Sequence, residues 1–151
     1  MFNSLKRLFS GSDDTGEDAV EPHEAAAALL VEAALADGIY ADMESDMIAM
    51  ILLESFDFDA GQADELLRRG EFLAEGAIGA HQFTKRVKSL PITERVAVIE
   101  GLYRVALADG DRCPYEDAYI RHVSSLLHVD DVARAGARRE AEARVAMDKK
   151  N

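Results

Sequence analysis

The chain has 151 residues, 48% of them hydrophobic, and 29 Asp and Glu against 17 Lys and Arg give a formal net charge of −12. That is one domain of ordinary size with enough apolar side chains for a core. No run of about 18 apolar residues is present, which excludes a transmembrane helix, and the single cysteine, Cys113, excludes an internal disulfide.

The acid is not spread evenly. No Lys or Arg occurs between Leu8 and Leu67. Residues 1–67 hold 16 acids and 2 bases, whereas residues 68–151 hold 13 acids and 15 bases. The first half therefore repels phosphate backbones, so nucleic acid is not expected as a partner, while cations and basic protein surfaces are. The start, Met1 to Phe9, has no apolar stretch or cleavage site of secretory type. With one cysteine, a reducing cytoplasm is the expected compartment.

In chain order, Phe2, Leu5, Leu8 and Phe9 fall at helical spacing with Lys6 and Arg7 between them, which predicts one or two amphipathic turns. Two cations and so short a turn imply only weak contact with a membrane surface. Residues 10–22, rich in Ser, Gly and acid, read as a flexible linker. Residues 1–21 are thus set apart from a single helical domain over 22–151. His23 to Ala36 predicts a first body helix ended by Gly38, and Asp42 to Ser55 a second with Met43, Met47, Ile48, Ile51 and Leu52 on one stripe. Asp59 opens a third through Leu66, Leu67, Phe72 and Leu73, with Gly70, Gly76 and Gly79 as weak points. A short helix through Phe83 and Val87 stops before Pro91. Thr93 to Ala108 and Pro114 to Leu127 are two more, and Asp130 or Asp131 caps a last, Arg-rich one. No convincing strand pattern appears. The expected class is all-α, a bundle of about six to eight helices.

The chain repeats itself. Residues 34–48 align with residues 106–120 at an offset of 72, with seven of fifteen positions identical, and Leu30 also matches Leu102. Chance would give about one match at ordinary composition, so the duplication is real. Each copy ends a helix at Asp-Gly, where glycine accepts positive φ, and opens another near Asp42 or Pro114. The two helices of each pair are expected to bury their apolar faces against each other, and the two pairs to form a pseudo-two-fold bundle.

Ala-Asp-Gly, five residues, then Glu, once in each half after an apolar helix (Ala36-Asp37-Gly38 with Glu44; Ala108-Asp109-Gly110 with Glu116), resembles the TerB (tellurite-resistance B) family and the related N-terminal domain of DjlA-type co-chaperones. The resemblance spans roughly residues 22–145. It implies an all-helical fold with internal pseudo-symmetry and an association with tellurite and other chemical stress. It also implies metal binding at acidic positions, which fall here on Asp37, Glu44, Asp109 and Glu116. The residue three before the Glu, often Ser in the family, is Ala41 and Cys113 in this chain.

Asp-Gly-x5-Glu has the spacing of positions 5, 6 and 12 of an EF-hand loop. Positions 1 and 3 would be Ala33 and Leu35, or Val105 and Leu107, all without side-chain oxygens, so neither copy is a complete calcium loop. Two readings of the carboxylates stand. In one, each Glu caps its helix start and favours the positive end of the helix dipole, while each Asp accepts N–H bonds in its turn. In the other, the pairs converge and hold Ca²⁺, Mg²⁺ or Mn²⁺, the cations suited to oxygen ligands. His23, His81, His122 and His128 show no ligand spacing, Cys113 has no partner nearby in sequence, and no nucleophile elbow or phosphate loop is present. No enzyme is expected. The leading expectation is a stress-linked interaction module whose acidic half holds a basic protein surface, with the basic last helix available to pair with that half in cis or in a homodimer. The alternative is a divalent-cation domain.

Overall fold

The computed structural model describes residues 21–36, 42–76, 81–108 and 114–150; for residues 36, 42–44, 81, 114–116 and 148–150 it describes the backbone alone. The predicted N-terminal turn and linker, and any membrane contact through residues 2–9, lie outside the described residues. Those residues form seven helices and no strand: α1 (Pro22–Ala36), α2 (Asp42–Phe56), α3 (Ala60–Glu75), α4 (His81–Val87), α5 (Ile92–Ala108), α6 (Pro114–Leu126) and α7 (Asp131–Lys150). The all-α reading of the sequence and its helix order are borne out.

Two helices form the centre. In α1, the seven consecutive residues Ala25 to Val31 are at most 1% exposed. A helix apolar on every side is surrounded, not laid on a surface. In α5, Val98, Ile99, Gly101, Leu102, Tyr103, Arg104 and Val105 are buried. The main partner of α1 is α3, and that of α5 is α7; α1 and α2 touch far less. The expectation that the paired helices pack chiefly on each other is therefore corrected. With apolar side chains on every face of α1, the sequence marks no preferred neighbour, and chain order is a poor substitute.

The tight α1–α3 contact has a specific cause. A Cβ on Gly70 would lie 2.7 Å from Ala27 Cβ and 2.8 Å from the Ala27 carbonyl carbon. Gly70 lets α3 seat on the alanine run of α1, so the residue that reads as a weak point is the packing contact itself. Gly101 of α5 makes a different close approach, to side chains alone: a Cβ there would meet Ile51 Cγ2 at 2.7 Å and Leu30 Cδ2 at 3.1 Å.

The duplication extends beyond the fifteen aligned residues. Asp57 at φ 58° and His128 at φ 57° end α2 and α6 in the left-handed conformation. Next to them, Phe58 N donates to Leu53 O at 3.2 Å and Val129 N to Ser124 O at 2.9 Å, the same closing bond of a helix C-terminus. Then Asp59 Oδ1 accepts from Gln62 N, and Asp130 Oδ1 from Ala133 N, each at 2.8 Å, opening α3 and α7. These equivalents stand 71 apart, whereas buried Ile48 and Ile120 stand 72 apart. The second copy is thus one residue shorter than the first across this stretch. The repeated unit is three helices, α1–α3 and α5–α7, with α4 between them.

Candidate interaction surface

Asp37 and Asp109 lie outside the described residues. Glu44 and Glu116 are each the third residue of their helices, α2 and α6, with only the backbone described. The helices on either side of the two Asp-Gly segments correspond, Ala36 with Ala108 and Asp42 with Pro114. Among the described residues, no group of three or more His, Cys, Asp and Glu is placed to hold a metal ion.

Two polar junctions tie the halves together, and neither was singled out from the sequence. At the first, the His23 ring lies between two carboxylates, Nδ1 at 2.8 Å from Glu21 Oε1 and Nε2 at 3.0 Å from Glu94 Oε1. The ring packs in T-shaped arrangement with Phe56 and Phe58, with centroids 4.6 and 5.4 Å away. Engaging both carboxylates as a donor requires a proton on each ring nitrogen. The hydrogen bond to Glu21 is the main force raising the imidazole above its ordinary range, against the opposing effect of burial, with Glu94 adding to it. Burial pushes Glu21 up, but the bond and charge of His23 and two backbone N–H groups outweigh it and leave the carboxyl below its usual range. The repeat equivalent of His23 is Arg95, which donates to Leu90 O at 2.9 Å and to Leu127 O at 2.8 Å. In both copies a cationic side chain at the start of the central helix docks on the end of the repeat's second helix.

At the second junction, Arg104, 8% exposed, donates to Glu54 Oε1 at 2.8 Å. Arg144 of α7 reaches Glu54 Oε2 at 3.4 Å and places Nε 2.7 Å from Glu100 Oε1. That last approach is an ion pair without hydrogen-bond alignment, since neither atom has a hydrogen-bond partner. Burial is the larger influence on Glu100 and holds its carboxyl above the usual range despite Arg144 and Arg104. Thus the basic last helix does pair with the acidic half in cis, Arg144 meeting Glu54 of α2.

Most of the other acids described in α2, α3 and the segment between them face outward. Asp46, Asp57, Asp59, Asp64, Glu65 and Glu75 are exposed, against the bases Arg68 and Arg69 at mid-α3. Beside them lies a groove of about 490 Å³ whose lining includes Glu24, Phe58, Leu66, Arg69 and Phe72. Arg69 spans it, with Nε 3.3 Å from Glu24 and its guanidinium 5.4 Å from the Phe72 ring centre. Among the described residues, no helix is long and apolar enough to cross a membrane.

A duplicated three-helix unit, with one apolar helix buried at the centre of each copy and acid concentrated on the first, defines an all-α internally repeated domain. The chain matches the family described as tellurite resistance protein TerB over residues 23–139. It belongs to the TerB family, and it is a tellurite-resistance-associated domain in that sense. Comparison with curated proteins and with solved structures found no match.

Proposed function

We propose that this TerB-family chain is a non-catalytic interaction module that uses the acidic outer face of α2 and α3 to hold a basic protein surface during a tellurite or general chemical-stress response. The observation that carries the reading is the charge division. The first 67 residues hold 16 acids and 2 bases, and six acids of α2, α3 and their junction point into solvent without a described ion pair. Such a field speeds encounter with a basic partner and weakens as salt rises. A photo-cross-linking residue in place of Asp64, in cells exposed to tellurite, gives a discrete adduct that Glu65→Lys with Glu75→Lys abolishes. An adduct that survives those charge reversals removes the reading.

The second reading is a divalent-cation domain built on Asp37, Glu44, Asp109 and Glu116. It draws support from the matched register of the helices flanking the two Asp-Gly segments. Binding to the folded state raises its melting temperature. Calorimetry with Ca²⁺, Mg²⁺ and Mn²⁺ that gives neither heat nor a melting shift eliminates it.

A further inference from the structure

Along the groove of α3 the two copies of the repeat carry side chains of different size. The groove's apolar lining is Phe58, Leu66 and Phe72, and Phe72 is 65% exposed. At the equivalent places, 71 residues on, the second copy has Val129, Ala137 and Ala143. The core does not require the larger side chain at Phe72, since most of that ring stands in solvent. Phe72 with Phe58 and Leu66 gives the groove a continuous apolar wall, the feature that suits a groove to an apolar ligand face.

We propose that this groove is the docking site for residues 2–9 of the same chain. Three features of that segment fit it. The first is shape and chemistry. Phe2, Leu5, Leu8 and Phe9 are spaced to share one helical face, and an eight-residue helix is about 12 Å long, against about 15 Å for the stretch of α3 from Gln62 to Phe72. This is the helix-in-groove mode of recognition. The second is charge. Arg69 is already engaged by Glu24 and the Phe72 ring, and of the two other charged side chains in the lining, Arg68 and Glu65, the exposed Glu65 offers a carboxylate to Lys6 or Arg7. The third is reach. Glu24, which lines the groove, stands three residues after Glu21, and eleven residues, 10–20, connect the segment to that point. A Gly- and Ser-containing stretch of that length covers about 18 Å on average. So short a tether gives an effective concentration in the millimolar range, so even weak docking is populated. The proposal does not depend on the basic-partner reading.

The test places a nitroxide at position 4 by Ser4→Cys in a Cys113→Ser background and reads amide signals by NMR. The expected result is selective loss of the Gln62, Leu66 and Phe72 signals, with those of Val132 and Met147 on α7 retained. Leu5→Ser with Phe9→Ser, and separately Phe72→Ser, restore the lost signals. Because Phe72 is mostly exposed, its substitution leaves the core intact. No selective loss, or loss that survives both substitutions, overturns the proposal. Loss that appears only when spin-labelled and isotope-labelled chains are mixed assigns the groove to a second copy and also overturns it. So does transfer of residues 2–9 to phosphatidylcholine–phosphatidylglycerol vesicles with the groove signals unchanged.

Discussion

Gly70→Ala separates packing from helix propensity. Gly70 is interior to α3, where alanine is favoured over glycine by about 1 kcal/mol. On propensity alone the variant would be more stable. The added Cβ, however, would lie 2.7 Å from Ala27 Cβ, 2.8 Å from the Ala27 carbonyl carbon and 3.0 Å from Ala28 N. Two of those three atoms are backbone of the most buried helix in the protein, so no side-chain rotation relieves the clash. Overpacking a filled core costs about 1–3 kcal/mol, occasionally more, and an immovable neighbour puts this site at the upper end. The net expectation is a loss of about 1–2 kcal/mol, or several degrees in melting temperature for a domain of this size. Gly136→Ala is the internal control. It lies inside α7 with nothing within 4 Å of an added Cβ, so the propensity gain of about 0.5–1 kcal/mol stands alone. Urea unfolding followed by far-UV circular dichroism measures both. If Gly70→Ala is stabilised as much as Gly136→Ala, the close seating of α3 on α1 is wrong.

The His23 junction gives stability a defined pH window. His23 is raised above its ordinary 6.5, so its contribution is complete below that value and is lost as pH rises through the folded value. Glu21 is lowered from 4.5, so its contribution is complete above 4.5 and is lost as pH falls through the folded value. The stability difference between wild type and His23→Gln is therefore largest between those limits and shrinks towards alkaline pH; a difference that grows on the alkaline side contradicts the assignment. At the second junction, Glu54→Gln leaves the buried Arg104 guanidinium without its carboxylate. Denaturant titration is expected to show a loss of about 1.5 kcal/mol, the low end for a charged hydrogen bond because Glu54 is 36% exposed. Arg104→Met, which removes the buried charge itself, costs less. Asp59→Ala and Asp130→Ala remove equivalent caps, and each is expected to lower stability by about 1 kcal/mol, with similar values if the three-helix repeat is sound.

The duplication was legible because one short stretch carries it: residues 34–48 and 106–120 keep seven of fifteen identities without a gap. The later equivalents, Asp57 with His128 and Asp59 with Asp130, share conformation more than sequence, and the one-residue difference in length between the copies hides their register. The polar junctions were illegible for a different reason. His23 and Glu94 are 71 positions apart, and neither sits in a motif. Arg104 interrupts an apolar helix in a way that signals burial with a partner, but Glu54 comes from another helix, so only packing identifies it. Of the four carboxylates read as a candidate metal site, Glu44 and Glu116 can be placed by backbone at equivalent helical positions, while Asp37 and Asp109 fall outside the described residues.

The acidic face of α2 and α3 is tested most directly by survival on tellurite. Cells lacking the chain are complemented with wild type or with the triple variant Asp64→Lys, Glu65→Lys and Glu75→Lys, all three positions being exposed. The expected result is loss of protection by the triple variant at unchanged protein level and unchanged cooperative unfolding. Full protection from the charge-reversed protein would contradict the account.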